Sequence, residues 1–334
     1  MLFIVFLKAL AAVLITNAHY IGVYPTDWLA HGGMIGNIIF FAVSGYCLYN
    51  VKSNFALWYA KRFMRVYFPM FIITIAYILV GYFKVSDEQN LIWWLIYPTF
   101  YHFVLSILIL YVPYYFIMRI QKLKNNLLPV MFFIAAVFAI AYIFAFDRSY
   151  YHIDDINSPM VRFMFLESML LGAWFRQNDE KIRNSGKGAV KFFVLSAFMC
   201  VVFFASKLIF SRIKQVSDFQ FVNQLVLMLL LYCVFRFFAA MDSKFHKFPA
   251  PVVKIVKFIS NLTLEIYLVQ HMLIEYLDLP QRFPFPINFI VLTSAIIVLA
   301  IILHLITQPF IKLVNKGLLN IESSLEKRKL NKKI

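Results

Sequence analysis

An all-α, polytopic membrane protein with about ten transmembrane helices and both termini cytoplasmic is predicted for this chain of 334 residues on three observations. Hydrophobic residues make up 62% of the sequence and the mean hydropathy is +0.77, against the ~45–50% apolar usage of an ordinary soluble domain. Apolar runs of near-membrane length recur from end to end, and the polar stretches between them are too short to build a soluble domain. The net charge of +16 falls on alternate connections, so it orients the chain across a bilayer and does not indicate a nucleic-acid partner.

Taken in order, the runs predict helices near 2–24, 34–51, 66–83, 91–118, 128–146, 160–176, 192–210, 219–240, 258–277 and 287–309. The first lacks the basic start and small-residue cleavage site of a signal peptide, so it reads as a mature helix. The fourth carries Pro98 and Pro113 and is either one long span or two pieces. Ten crossings place both termini on one side. If that side is cytoplasmic, the inner segments collect Lys52, Lys61, Arg62, Arg65, Arg119, Lys122 and Lys124, the basic residues from Arg176 to Lys191 and from Lys244 to Lys257, and the tail from Lys312 to Lys333. The outer loops then hold Asp27, Asp87, Glu88, Asp147, Asp154, Asp155 and Asp278, in accord with the positive-inside rule. Residues 1–311 form one membrane domain, and 312–334 form a basic cytoplasmic tail suited to anionic lipid. Cys47, Cys200 and Cys233 sit unpaired in apolar runs and read as packing residues, not as a disulfide frame or a metal site.

Four segments carry the residues suited to chemistry. The first run contains Lys8 and His19, an ionisable pair in apolar sequence. Eleven helical steps return to within ~20° of the same stripe and advance ~16 Å, so the two side chains line one face. Burying a lysine at a helix centre costs roughly 2.5 to 3.5 kcal/mol, and such a residue usually faces a cavity, a partner or a substrate path. Snorkelling of Lys8 and interhelical hydrogen bonding by His19 are the bland alternatives. Next, the glycines of Gly32-Gly33-Met34-Ile35-Gly36-Asn37 and of the following Phe40 to Tyr46 stretch let the second helix pack closely on the first near His19. Ser44, in that stretch, reads first as a packing or hydrogen-bonding residue. Lys61, Arg62 and Arg65 precede the third helix on the cytoplasmic side, and Arg62 and Arg65, three apart, share a face on which two guanidinium forks can grip one phosphate-bearing ligand. Plain positive-inside anchoring is the competing reading. Late in the chain, Tyr267, His271 and Glu275 fall on one helical face, where His271 serves either as a second active-site imidazole or as a structural hydrogen bond. His102, Glu167, Arg236 and His304 also lie in apolar surroundings, and the sequence does not rank them.

These residues, in this order, resemble the integral-membrane acyltransferase-3 family. Phe6 to Tyr20, FLKALAAVLITNAHY, is similar to its opening helix, with Arg or Lys, ten residues and then His. The GG-IGN-FFAVSGY stretch and the Lys61–Arg65 cluster are similar to its second helix and its Arg-x-x-Arg loop. His102 to Pro113 resembles its aromatic segment, and Leu264 to His271 its late Tyr-Leu-x-x-His helix, so the resemblance covers essentially the whole chain. It implies that His19 and Lys8 belong to the active centre. It also implies that Arg62 and Arg65, with Lys61, recognise an acyl-CoA donor, acetyl-CoA before others, with no metal. Ser44, Tyr267 and His271 are supporting candidates. The implied activity is O-acyl transfer to a hydroxyl of a cell-surface or lipid-linked carbohydrate at the plasma membrane. Many members carry a fused serine-hydrolase-like domain after the membrane part; this chain is expected to be a stand-alone member that either acylates its acceptor directly or hands the group on.

A transporter or flippase of a lipid-linked sugar is the rival from another class, because intramembrane Lys, His, Glu and Arg also line substrate paths. Transporters commonly show related halves, whereas the distinctive residues here crowd the first 65 positions. The acyl group, the acceptor and the oligomeric state are not legible in the residues. The aromatic content of 19% suits membrane interfaces as well as sugar stacking.

Overall fold

The computed structural model describes residues 1–86, 88–96, 102–184 and 188–331, without the side chains of 96, 181, 183, 184 and 325–331. Asp87, Pro98, Lys187, Lys332 and Lys333, which the sequence analysis assigned to loops, a helix and the tail, lie outside the described residues. The chain is α-helical, with no strand among the described residues. Its principal helices are α1 (Leu2–Ala18), α2 (Gly33–Leu48), α3 (Phe55–Leu79), α4 (Leu91–Ile96), α5 (His102–Arg119), α6 (Leu127–Phe144), α7 (Val161–Gln177), α8 (Ala189–Arg212), α9 (Phe221–Ala240), α10 (Ala250–Asn261), α11 (Thr263–His271) and α12 (Ile287–Asn331). Seven segments among the described residues are long and apolar enough to cross a membrane. They coincide with seven of the ten expected runs. Of the other three, α1 is an apolar helix of 17 residues, and α7, of the same length, carries Arg162, Glu167 and Arg176. The run near 258–277 is divided between α10, α11 and a π-helical turn over Met272–Tyr276.

Three boundaries differ from the sequence reading for local reasons. Helix α1 stops at Ala18, not near Tyr24, because Asn17 donates from Nδ2 to the carbonyls of Leu29 (2.7 Å) and His31 (2.9 Å) and accepts from the Tyr24 hydroxyl (2.7 Å). These bonds draw the chain into a loop whose turn places Gly22 at φ 77°, a backbone region open to glycine. Helix α3 begins at Phe55, eleven residues earlier than expected, because Asn54 caps it by accepting the Leu57 N–H at 3.0 Å. The Lys61–Arg65 cluster therefore rides on a formed helix instead of preceding it. Near 91–118 the structure describes α4 and α5, and the residues on which the choice between one span and two pieces turns lie outside those described. Finally, α12 continues through the basic tail to Asn331, since nothing beyond Pro309 stops it and Gly317 is tolerated in an exposed turn.

The helices form two compact units. The first comprises Met1–Ile15, Gly32–Asn50 and Phe116–Asn261. Its tightest feature is the crossing of α2 and α7: a Cβ added to Gly45 would stand 1.9 Å from the Met169 carbonyl oxygen, and one added to Gly172 would stand 1.8 Å from that of Ala42. Only glycine permits this approach from both sides, and Phe41 stacks on Phe165 beside it at 4.3 Å. Gly36 makes the contact expected between α2 and α1, where an added Cβ would meet the Ala11 carbonyl oxygen at 2.9 Å. At one end of the unit, Asp242 accepts the Phe3 N–H at 2.9 Å and satisfies the start of α1. The Tyr46 hydroxyl donates to Asp179 at 2.8 Å, and Arg176 reaches the same hydroxyl at 3.3 Å. Helices α8 and α9 form a hairpin joined by Asn223, whose Nδ2 donates to the Phe203 carbonyl (2.9 Å) and the Ser206 hydroxyl (2.8 Å).

The second unit comprises Thr16–His31, Val51–Tyr115 and Leu262–Ile334. Helix α3 packs on α12, where Phe68 stacks on Phe310 at 4.3 Å. Helix α11 is held to α12 by His304 Nδ1 and Glu265 Oε1 at 2.7 Å, and to α3 by the Tyr77 hydroxyl donating to the Leu268 carbonyl at 2.7 Å. The loop after α1 is fastened by Asn288, whose Nδ2 donates to the carbonyls of Val23 (2.8 Å) and Pro280 (3.1 Å), and by Tyr20 against Thr293 at 2.9 Å.

Candidate active site

His19 lies one residue beyond α1, held by its N–H to the Thr16 carbonyl at 3.0 Å. The loop that follows is fixed from several directions, by Asn17, by Asn288 and by the Asp27 carboxylate accepting the Gly22 N–H at 2.9 Å. This half-buried imidazole is thus placed by a rigid loop, not by helical register alone. Its ring meets that of His271 edge to face, with centroids 5.0 Å apart and planes at 75°.

His271 closes α11 and is buried. Tyr267, one turn earlier, presents its ring to His271 at 5.6 Å, and Phe103 packs behind Tyr267 at 5.3 Å. Directly after His271 the backbone widens into the π turn Met272–Tyr276, a distortion often found at functional sites. The turn sets Glu275 Oε1 3.5 Å from His271 Nδ1, and the other carboxylate oxygen accepts the Tyr82 hydroxyl at 2.5 Å. Tyr77 packs on Tyr82 at 5.1 Å. The result is a continuous line in the second unit, His19, His271, Glu275 and Tyr82, of two imidazoles, a carboxylate and a phenol. In this group the carboxylate can hold His271 in one tautomer, and the two imidazoles touch ring to ring.

The basic cluster stands toward the other end of α3. Lys61 Nζ is ion-paired with Glu322 Oε2 of α12 at 2.7 Å. Arg62 is half-buried, its guanidinium carbon 4.7 Å from the Trp58 ring centroid and its Nη1 donating to the Trp58 carbonyl at 3.3 Å. Arg65 is exposed one turn on. From Arg62 to Tyr77 the helix advances 15 residues, ~22 Å.

Sequence reasoning had set Tyr267, His271 and Glu275 on one face, and the structure brings His19 to them. It had no signal for Tyr82, which precedes no motif and reaches Glu275 across 193 residues of chain. Lys8 and Ser44 are half-buried on α1 and α2 and belong to the first unit. Among the remaining ionisable residues, His304 is engaged by Glu265, Arg236 lies 4.6 Å from the Phe192 ring centroid, and Glu167 lines a cavity in the first unit. Among the described residues no group of three or more His, Cys, Asp and Glu side chains is placed to hold a metal ion.

A family model described as an acyltransferase domain, of the acyltransferase-3 type, matches residues 1–305. The chain therefore belongs to this family of membrane acyltransferases and is a multi-pass membrane enzyme. No curated protein and no solved structure matches it.

Proposed function

We propose that this acyltransferase moves an acyl group, acetyl before others, from cytoplasmic acyl-CoA to a hydroxyl of a cell-surface or lipid-linked carbohydrate at the plasma membrane. The observation that carries the reading is the contact of His19 with His271, backed by Glu275 and Tyr82. In this reaction His19 takes the proton of the acceptor hydroxyl as its oxygen attacks the thioester carbonyl carbon. The C–S bond then breaks, and CoA leaves as a thiolate that accepts a proton. Glu275 orients His271, and His271 orients His19.

Arg62 and Arg65 suit the donor's phosphates. The geometry of α12 supports their level in the bilayer. A helix lying along the membrane normal from Ile287 crosses a ~30 Å hydrocarbon core in about 20 residues, close to Phe310. Phe68 stacks on Phe310, and Arg62, six residues before Phe68 on α3, lies ~9 Å farther out, at headgroup level. With ten crossings and both termini cytoplasmic, as the positive charge argues, this is the cytoplasmic face, and the donor's pantetheine arm runs along α3 toward His19. The basic residues after 311 then belong to a cytoplasmic extension of α12.

The test is acyl transfer by purified protein in lipid, with radiolabelled acetyl-CoA and cell-envelope glycan. Label enters glycan with the wild type, the Arg62→Ala/Arg65→Ala variant needs far more donor, and folded His19→Ala is inactive. Wild type that neither binds nor consumes any acyl-CoA overturns the donor assignment.

A further inference from the structure

Apart from the candidate active site, the first unit contains a cavity of about 670 Å³ between α6, α7 and α9. One wall is a stripe of α6 running from Leu128 through Ala135 and Ala139 to Ile143, residues spaced three or four apart on one helical face. From Leu128 to Ile143, 15 helical steps, the wall is ~22 Å long. Almost everything lining it is apolar, and the polar groups are gathered toward one end. Arg148 and Asp218 stand at the rim, in the connections that precede α7 and α9. Gln224 follows one turn into α9 and Glu167 two turns into α7.

Gln224 is only 3% exposed, yet neither its amide nitrogen nor its carbonyl oxygen has a hydrogen-bond partner among the described residues. Glu167 Oε1 has none either. Polar atoms buried in this way call for a ligand that satisfies them, and a purely hydrocarbon occupant does not. The neighbouring Gln220 shows the contrast: equally buried, it accepts the N–H groups of His152 (3.0 Å) and Ile153 (2.9 Å) and donates to the Tyr150 carbonyl at 3.0 Å. Gln220 builds the rim, and Gln224 is left to whatever enters.

We infer that this crevice is the seat of one phosphate-headed membrane lipid, with its phosphate at Arg148, its ester oxygen atoms accepting from the Gln224 amide, and one hydrocarbon chain along the α6 stripe. The order of chemistry along the wall, charge, then hydrogen-bonding groups, then apolar surface, is that of such a lipid read from head to tail. The length agrees: half of a ~30 Å hydrocarbon core is ~15 Å, and the ~22 Å wall exceeds it by about the depth of a glycerol linkage. Arg148 provides a guanidinium fork for the phosphate, and Gln224 both donates and accepts.

Native mass spectrometry of the whole protein released from detergent tests this. One phospholipid is expected to remain on wild type after washing, and Arg148→Ala/Gln224→Leu is expected to lose it at least tenfold more readily. Ala139→Trp, which fills the groove, should exclude it, while Val201→Trp on the exposed face of α8 should not. Delipidated protein should also bind a lysophospholipid at least tenfold more tightly than the alcohol of the same chain length. Size-exclusion profile and melting point establish that each variant is folded, and should Ala139→Trp misfold, the double variant and the lysophospholipid comparison decide. Loss of all lipid from wild type on washing, equal retention by every folded variant, or equal binding of lysophospholipid and alcohol overturns the assignment.

Discussion

His19 and His271, 252 positions apart in the sequence, meet edge to face with ring centroids 5.0 Å apart. The first is delivered by a loop after α1 and the second by the last residue of α11, and neither helix alone fixes their spacing. What fixes it is the set of hydrogen bonds around the loop and the π turn that follows His271.

The Glu275 carboxylate touches His271 and Tyr82 but not His19, so its role in the proposed transfer is positioning. Glu275→Gln is expected to lower kcat by on the order of tenfold with little change in the KM for acyl-CoA. Tyr82→Phe, which removes only the hydroxyl at 2.5 Å, should have a smaller effect in the same direction. Steady-state kinetics separate kcat from KM; an unchanged kcat in Glu275→Gln would remove this residue from the mechanism.

Loss of the Asn17 side chain releases two carbonyls, of Leu29 and His31, and the Tyr24 hydroxyl at once. Asn17→Ala is expected to cost about 1–3 kcal/mol and to lower activity beyond what lost stability explains, because the loop that holds His19 loosens. Thermal unfolding in detergent read beside kcat measures both.

At the basic cluster, Arg62 stacks on Trp58 and Arg65 is exposed, so the two arginines are unequal. Arg62→Lys keeps the charge and loses the fork and the stacking, and it is expected to raise the KM for acyl-CoA severalfold. Arg62→Ala/Arg65→Ala should raise it at least tenfold, ~1.4 kcal/mol or more. Donor titrations at saturating acceptor distinguish this from a kcat effect.

Gly45→Ala and Gly172→Ala each place a carbon under 2 Å from a backbone carbonyl oxygen, which no rotamer change relieves. Each is expected to cost several kcal/mol, beyond the ~1–3 kcal/mol typical of overpacking. Gly317→Ala, with nothing within 4 Å of the added carbon, should be neutral or mildly stabilising. Yield of monodisperse protein and melting temperature rank the three.

Sequence periodicity and charge reached the fold class because lipid demands long apolar runs with satisfied backbones, and those demands are written locally. The same logic gave the glycine contact of α2 with α1 at Gly36. It did not disclose that Gly45, in the same stretch, faces α7, because a glycine shows that a helix is approached closely and not by which neighbour. Likewise the spacing of Lys8 and His19 presumed helix to Tyr24, whereas Asn17 ends it by reaching carbonyls 12 and 14 residues ahead. The face shared by Tyr267, His271 and Glu275 was legible from its period. The π turn that sets the last of them was not, since nothing in the string MLIEY distinguishes it from an ordinary helical turn.

The backbone-to-backbone crossing of α2 and α7 has a consequence for motion. Helices that shift against one another in a working cycle do so by letting intervening side chains swap rotamers, much as a layer of bearings lets plates slide. At Gly45 and Gly172 that layer is absent, and the two ribbons interlock directly. The pair moves as a single rigid strut, and whatever breathing admits a donor or releases an acylated product is taken up by other helices.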